Sequence, residues 1–83
     1  MERIQIYGTQ WCPDCARVKQ LFNRYNITYD WHDIEQDEQS CAYVEKVNRG
    51  YQSVPTIVFP DGSVLVEPNN AALEKKLGEA GLV

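Results

Sequence analysis

Two thiols lie close together near the start of the chain. Residues 9 to 22 read TQWCPDCARVKQLF, so Cys12 and Cys15 are three positions apart, with Pro13 and Asp14 between them. A cysteine pair at this spacing can bind a metal, form a structural disulfide or exchange electrons with another disulfide. The elements that position the two sulfur atoms decide among these roles.

The first two possibilities fit this chain poorly. A structural disulfide across so short a loop would contribute little stability, because closing the loop removes little chain entropy. A structural zinc site normally combines two compact ligand pairs, whereas the candidate ligands here are irregularly spaced. Those candidates are Cys12, Cys15, His32 and Cys41. Electron exchange is therefore favoured, and Cys41 is expected to pack on a helix as a bystander.

Length and charge limit the class of protein. The chain has 83 residues, 43% hydrophobic and 24% charged, as expected for one small domain over residues 1–83. The formal net charge is −4 and no run of basic residues is present, so nucleic acid is not an expected partner. The opening MERIQIYG has no signal-peptide pattern, and no segment has the length and apolarity of a membrane span. We therefore expect a cytoplasmic protein without membrane contact, whose thiols stay reduced.

Hydrophobic periodicity places the cysteines at the start of a helix. Ile4 and Ile6 alternate with polar neighbours, which predicts a strand ahead of the cysteines. Pro13 suits the first turn of the helix that follows, where its missing N–H costs nothing. The segment ITYDWH, residues 27–32, alternates strictly and predicts a second strand with His32 on its exposed side. The apolar residues at helical spacing in the first helix are Cys15, Val18, Leu21, Phe22 and Tyr25.

The second half of the chain completes an α/β pattern. TIVF, residues 56–59, is apolar on both faces and predicts a central strand, and PDGS predicts a turn into the strand VLV, residues 64–66. Asn69 or Asn70 would cap a last helix. The element order is β-α-β-α-β-β-α, which implies a mixed sheet with helices on its faces. The middle helix is predicted by the spacing of Ser40, Tyr43, Val44 and Val47.

This order gives the cysteine pair its chemical setting. Cys12 falls between the first strand and the first helix, where unpaired amide groups and the helix dipole favour a thiolate. Arg17 and Lys19 lie one to two turns further on and could add to that field. Cys15 lies one turn inside the helix, close enough to pair with Cys12. Such an arrangement suits thiol–disulfide exchange, in which one thiol attacks and the second resolves the mixed disulfide.

In these features the chain resembles the glutaredoxins, which have the thioredoxin fold. IYGTQWCPDCARVK is similar to the family's first strand, active site and first helix, SVPTIVF to the segment with its cis-proline, and DG to its hairpin. The pattern is most similar to the mycoredoxins and other short bacterial glutaredoxins, which share WC, VN at the end of the second helix and a VPT…DGS…P tail. The resemblance covers nearly the whole chain. It implies a thioredoxin-like sheet of four strands flanked by three helices.

The resemblance also implies roles for individual residues. Cys12 corresponds to the nucleophile and Cys15 to the resolving thiol. Pro55 corresponds to the cis-proline beside the active site, which leaves the backbone of Val54 free to pair with an extended thiol peptide. Trp11, an aromatic residue bordering the reactive site, is expected to contact partners. Three further residues fall at positions that often line the glutathione groove in relatives: Tyr7, Lys19 and Gln52.

The activity implied is that of a monomeric dithiol oxidoreductase, which reduces protein disulfides or mixed disulfides. No permanently bound cofactor or metal is expected. The co-substrate would be a low-molecular-weight thiol such as glutathione or mycothiol, or thioredoxin reductase would supply the electrons. An alternative is an iron–sulfur cluster carrier that uses Cys12 and a small thiol, although cluster-binding relatives tend to have a small residue in place of Pro13.

Two departures from the family pattern affect the small thiol. Glutathione-using relatives often carry a basic residue shortly before the first cysteine, where this chain has Thr9, Gln10 and Trp11. They also often have an acidic residue before the last helix, where this chain reads VEPNN with Asn69 and Asn70. We therefore expect weakened ionic recognition of glutathione, with thiol exchange retained.

Overall fold

A computed structural model describes residues 3–83, and the order of elements is the predicted one. The strands are β1 (Ile4–Gly8), β2 (Tyr29–Asp33), β3 (Thr56–Val58) and β4 (Val64–Val66). The helices are α1 (Pro13–Arg24), α2 (Glu38–Val47) and α3 (Asn70–Glu79).

The strands form one mixed sheet in the order β2-β1-β3-β4. β1 runs parallel to β2 and antiparallel to β3, and β3 and β4 form the antiparallel hairpin predicted from the PDGS turn. Since β1 and β2 are parallel neighbours, the loops that follow them leave the same edge of the sheet. The amide of Ile34, just after β2, donates to the carbonyl of Gly8 at 3.0 Å and joins the two loops at that edge.

The main core lies between one sheet face and the helices α1 and α3. In β1 the burial alternates, with Ile4, Ile6 and Gly8 buried and the residues between them half-buried. α1 presents an apolar stripe to the same face, as its helical spacing predicts. The core consists of Ile4, Ile6, Val18, Leu21, Phe22, Ile57, Phe59, Leu73 and Leu77.

The other sheet face is covered by α2 and is more polar. Tyr7 of β1 stacks on Tyr43 of α2 with ring centroids 5.0 Å apart. Asn48, which ends α2, donates to Thr56 Oγ1 of β3 at 3.1 Å. The sheet therefore separates an apolar layer, which holds α1 and α3, from a polar and aromatic layer under α2.

Two local expectations need correction. β2 begins at Tyr29 rather than at residue 27, because the amide of Ile27 is used to close α1 by donating to Phe22 O at 2.9 Å. His32 is half-buried rather than exposed, since its ring stacks on Tyr7 at 4.6 Å and its Nε2 bonds Gln5 Oε1 at 2.5 Å.

Within residues 3–83, no helix is both long enough and apolar enough to cross a bilayer.

Candidate active site

Cys12 occupies the N-cap of α1. Its backbone is extended, with φ −79° and ψ 117°, and its Sγ accepts a hydrogen bond from the amide of Cys15 at 3.3 Å. The sulfur thus takes the place that a serine or aspartate oxygen usually fills at a helix start. Pro13 follows as the first helical residue, as predicted. Cys12 is 7% exposed, which leaves a narrow approach to this residue.

Cys15 lies behind Cys12 and is 1% exposed. Burial of the sulfur, followed by its hydrogen bond to Cys12, raises the pKa of Cys15 to about 12. The amide of Thr9 and the charge of Lys19 act in the opposite direction and lower that pKa, but they do not overcome the burial. Cys15 is therefore a thiol near neutral pH, and it can donate a hydrogen bond to a thiolate at Cys12.

Gly8 provides the space for the buried thiol. A Cβ atom on Gly8 would lie 2.5 Å from Cys15 Sγ and 2.8 Å from the Cη2 of Trp31. Both distances are far inside van der Waals contact, so only glycine lets the sulfur and the indole pack against β1 here. Sequence reasoning assigned Trp31 to a strand and gave neither Trp31 nor Gly8 a role at the site, because alternation shows the side of the sheet but not the neighbour across it.

Two of the basic residues of α1, Arg17 and Lys19, make specific contacts. Lys19 Nζ lies 3.6 Å from the centroid of the Trp31 ring, a cation–π contact. Arg17 pairs with Asp14 at 3.6 Å and donates to Pro68 O at 2.9 Å and to Asn70 Oδ1 at 2.6 Å. Arg17 therefore ties the first helix to the loop that leads into α3.

The Val54–Pro55 peptide bond is cis, as the resemblance implies. Pro55 is buried, and its carbonyl accepts from the amide of Glu67 at 2.9 Å. Within residues 3–83, the amide and carbonyl of Val54 make no backbone hydrogen bond. The Val54 backbone is thus available to an extended peptide, while the proline beside it is fixed.

Trp11 projects from the loop before Cys12 and is 69% exposed. Its Nε1 donates to Glu35 Oε1 at 2.9 Å, across the two loops at the carboxyl edge of β1 and β2. The indole is therefore both exposed and anchored, which suits a contact surface for a partner.

The sequence is similar to those of known proteins over most of its length. The profile of the glutaredoxin family matches residues 4–65. The chain belongs to the glutaredoxin family. It is 35% identical to mycoredoxin 1 of Corynebacterium glutamicum over 93% of this chain and 95% of that protein. It is 39% identical to a Mycobacterium tuberculosis (strain H37Rv) protein provisionally named as a glutaredoxin, over 89% of this chain and 88% of that one.

Solved structures show the same fold. A crystal structure of the thioredoxin-like protein BC3987 superposes with a TM-score of 0.77 at 27% identity, over 88% of this chain and 97% of that one. The glutaredoxin grx-1 of Archaeoglobus fulgidus gives a TM-score of 0.72 at 26% identity, over 90% of this chain and 85% of that one. The fold predicted for this glutaredoxin is therefore confirmed.

Two residues predicted to line a glutathione groove lie in other contacts. The ring of Tyr7 stacks between His32 and Tyr43 in the layer under α2, on the opposite sheet face from Cys15. Burial, followed by the neighbouring Tyr43 and Asp37, raises the pKa of Tyr7. Gln52 is exposed, and its amide donates to Glu45 Oε2 at 3.0 Å. Ligand contact by these two residues stays a prediction for this glutaredoxin.

Asn69 and Asn70 are already committed to structural contacts. Asn69 is the N-cap of α3, where its Oδ1 accepts from the amide of Ala72 at 2.7 Å. Asn70 Oδ1 accepts from Arg17. In this glutaredoxin, therefore, each amide oxygen already accepts a hydrogen bond from the protein, and neither carries the charge of the aspartate that relatives often have there.

The zinc ligand set considered from the sequence is not brought together. Throughout residues 3–83, no three side chains among histidine, cysteine, aspartate and glutamate lie close enough to hold a metal ion. His32 lies in the polar layer under α2, while Cys15 lies against β1 in the apolar layer. Cys41 is a half-buried free thiol on α2.

Proposed function

We propose that this glutaredoxin is a dithiol oxidoreductase of a single domain, residues 1–83, which reduces protein disulfides or their mixed disulfides with small thiols. One observation carries the proposal. Cys12 Sγ caps α1 and accepts the amide of Cys15 at 3.3 Å, while the Cys15 thiol is buried directly behind it. Cys12 is the more exposed of the two thiols, and burial raises the pKa of Cys15, so the pair suits attack by Cys12 followed by resolution by Cys15.

In the first step, Cys12 attacks a substrate disulfide. The amide of Cys15 and the positive end of α1 stabilise negative charge on Cys12 Sγ, and the Cys15 thiol adds a second hydrogen bond. Cys12 Sγ bonds to one substrate sulfur, and the substrate S–S bond breaks. The other sulfur leaves as a thiolate with the bonding electron pair and takes up a proton.

In the second step, Cys15 resolves the mixed disulfide. Cys15 loses its proton and its thiolate attacks Cys12 Sγ, so that the bond from Cys12 to the substrate breaks. The substrate thiolate leaves with the electron pair and is protonated. The products are a Cys12–Cys15 disulfide and a dithiol substrate, which has gained two electrons and two protons.

The surroundings support a polypeptide substrate. The unpaired amide and carbonyl of Val54 can bond to an extended backbone, as in recognition by strand addition. Trp11 supplies an exposed aromatic surface beside Cys12. We propose that Trp11, Val54 and Pro55 contact the partner. We also propose that the protein acts as a monomer in the cytoplasm, where its thiols stay reduced.

The electrons that regenerate the dithiol would come from a low-molecular-weight thiol. The similarity to mycoredoxin 1 supports a thiol of the mycothiol or glutathione type. Thioredoxin reductase is the alternative donor, since a buried Cys12–Cys15 disulfide can accept electrons from a protein dithiol as well.

The test is reduction of a disulfide-containing protein followed by peptide mapping. The reduced chain should convert the substrate to its dithiol and accumulate one internal disulfide, between Cys12 and Cys15. Cys12→Ser should abolish the reaction, and Cys41→Ser, which keeps both active-site thiols, should retain it. Full activity in the Cys12→Ser variant would contradict the mechanism.

A further inference from the structure

Trp31 packs beside Gly8, as the buried Cys15 does, and it also contacts a lysine. The Cη2 edge of its indole and Cys15 Sγ both lie against Gly8, at 2.8 and 2.5 Å from the position a Cβ would occupy. The face of the same indole carries Lys19 Nζ at 3.6 Å from the ring centroid. One residue of β2 therefore links the resolving thiol to a positive charge on α1.

The position of Lys19 is fixed from two directions. Lys19 follows Cys15 by four residues on α1, and residues at this spacing lie on the same face of a helix. A lysine side chain has a flexible stem of four carbons, and the contact with Trp31 restricts where its ammonium can be. Lys19 is half-buried, so solvent screens its charge less than that of a fully exposed lysine.

We propose that Trp31 is a positioning residue, which holds the Lys19 ammonium near Cys15 so that this charge promotes the second exchange step. The inference rests on the proposed function, because it assigns a role within the resolution of the mixed disulfide. Neither residue needs to touch the substrate.

The groups around Cys15 in the reduced protein explain why the second step depends on the charge of Lys19. Burial and the hydrogen bond to Cys12 keep Cys15 protonated, while Lys19 and the amide of Thr9 act in the opposite direction. When Cys12 enters a mixed disulfide, its sulfur can no longer ionise, and the contributions of Cys12 that raise the pKa of Cys15 are removed. Lys19 and the Thr9 amide remain, and Trp31, the neighbour from β2, is uncharged. Lys19 is thus the charged side chain that stabilises the Cys15 thiolate at that stage.

The two steps can be separated with a neutral chromogenic disulfide. Reduced protein mixed with 4,4′-dithiodipyridine releases one thiopyridone when Cys12 attacks and a second when Cys15 displaces the thiopyridone bound to Cys12. The first phase depends on reagent concentration and the second does not, so stopped-flow absorbance gives both rate constants. All variants carry Cys41→Ser, which removes the third thiol.

Removing the charge should slow the second phase selectively. Each unit by which the pKa of Cys15 rises lowers its thiolate fraction tenfold, but the more basic thiolate is about threefold more nucleophilic. We therefore expect Lys19→Gln to lower the ratio of second-phase to first-phase rate constants, by up to about threefold near neutral pH. The pH profile of the second phase should move to higher pH. Lys19→Arg, which keeps the charge, should restore most of the ratio.

Two further variants test the position of the charge. Trp31→Phe keeps an aromatic face of weaker cation affinity and should lower the ratio less than Lys19→Gln does. Lys75→Gln removes an exposed lysine on α3 and should leave both phases unchanged. An unchanged ratio in Lys19→Gln, or equal slowing of both phases, would overturn the inference. Absence of a first phase in the Cys41→Ser parent would instead contradict the proposed function.

Discussion

Gly8 of β1 lies against the thiol of Cys15, so close that a Cβ atom on the glycine would stand 2.5 Å from the cysteine Sγ. The resolving sulfur thus fills space that a side chain on β1 would otherwise occupy. Two consequences follow for the site. β1 helps to bury Cys15, and the burial that raises the pKa of this thiol depends on the absence of a side chain at Gly8.

Gly8→Ala should destabilise the protein and displace the buried thiol. Inserting a methyl group into a packed region typically costs about 1–3 kcal/mol. Here both neighbours, Cys15 and Trp31, would have to move. Urea denaturation of the reduced protein measures the effect.

The matched control for that substitution is Gly78→Ala, within α3. The nearest atom to a Cβ there is Val83 Cγ2 at 4.0 Å, and alanine is a better helix former by about 0.5–1 kcal/mol. Gly78→Ala should therefore be neutral or stabilising. Equal stability of the two variants would show that the close packing at Gly8 is relaxed in solution.

Alkylation should distinguish the two cysteines. Cys12 is 7% exposed and Cys15 1%, and the pKa of Cys15 is raised to about 12, so iodoacetamide at neutral pH should label Cys12 first. Cys15→Ser should keep this reactivity and accumulate a mixed disulfide with substrate, since the resolving thiol is gone. Mass spectrometry of digested protein gives the order of labelling. Faster labelling of Cys15 would reverse the roles assigned here.

The stability of the reduced protein should fall as the pH rises above about 9. The pKa of Cys15 is raised from 9.0 to about 12, so between these values the unfolded chain loses a proton that the folded chain retains. The free energy of unfolding then decreases with pH, by at most about 1.4 kcal/mol per pH unit for one group. Denaturation from about pH 8 to 10.5 should show a smaller decrease for Cys15→Ser than for the parent. Parallel curves would mean that the thiol is less protected than its burial implies.

Trp11→Ala should weaken the use of protein substrates with little effect on stability. The indole is 69% exposed, and substitutions at such surface sites usually change stability by under about 0.5 kcal/mol. An aromatic contact at an interface often contributes about 1–2 kcal/mol, so kcat/KM for a protein disulfide should fall about fivefold to thirtyfold. Tyr25→Ala, which removes a partly exposed aromatic at the other end of α1, is the control. An equal loss with a small disulfide would assign Trp11 to the chemistry rather than to docking.

Glutathione should be a slower reductant than the best alternative donor. The chain has no basic residue between Gly8 and Cys12, and the oxygens of Asn69 and Asn70 are used by α3 and Arg17. Each missing charge-assisted contact costs about 1.5–3 kcal/mol. NADPH consumption by the oxidised protein should be compared among the glutathione, mycothiol and bacillithiol systems and thioredoxin reductase at matched concentrations. If glutathione were clearly the fastest, backbone groups would have to replace the missing charges.

The order of elements could be predicted because each element carries its own local signal. The stripe of Val18, Leu21 and Phe22 defines α1, and the apolar run at residues 56–59 places β3 inside the sheet. The boundary of β2 could not be read in the same way. Ile27 continues the alternation, but its amide donates to the carbonyl of Phe22 in α1. Alternation does not predict this contact.

The surroundings of the dithiol were predictable only in part. The spacing of Cys12 and Cys15 and the helix start between them are local in sequence, whereas Gly8, Trp31 and Lys19 meet through the pairing of β1 with β2. Likewise, alternation placed Tyr7 and His32 on particular strands but could not show that their rings stack. Side-chain partners across a sheet depend on register, which pattern alone does not supply.

The contacts of Arg17 join segments that lie far apart in the sequence. They reach 51 residues along the chain to Pro68 and 53 to Asn70, and thereby join the active-site helix to the end of the molecule. Contacts of such sequence separation require the closure of long loops, which costs chain entropy. The burial of Cys15 likewise needs contacts beyond α1, since its sulfur lies against Gly8 of β1. The rate at which a thiol reagent captures Cys15 during refolding should therefore follow the packing of α1 on the sheet rather than the formation of α1 alone.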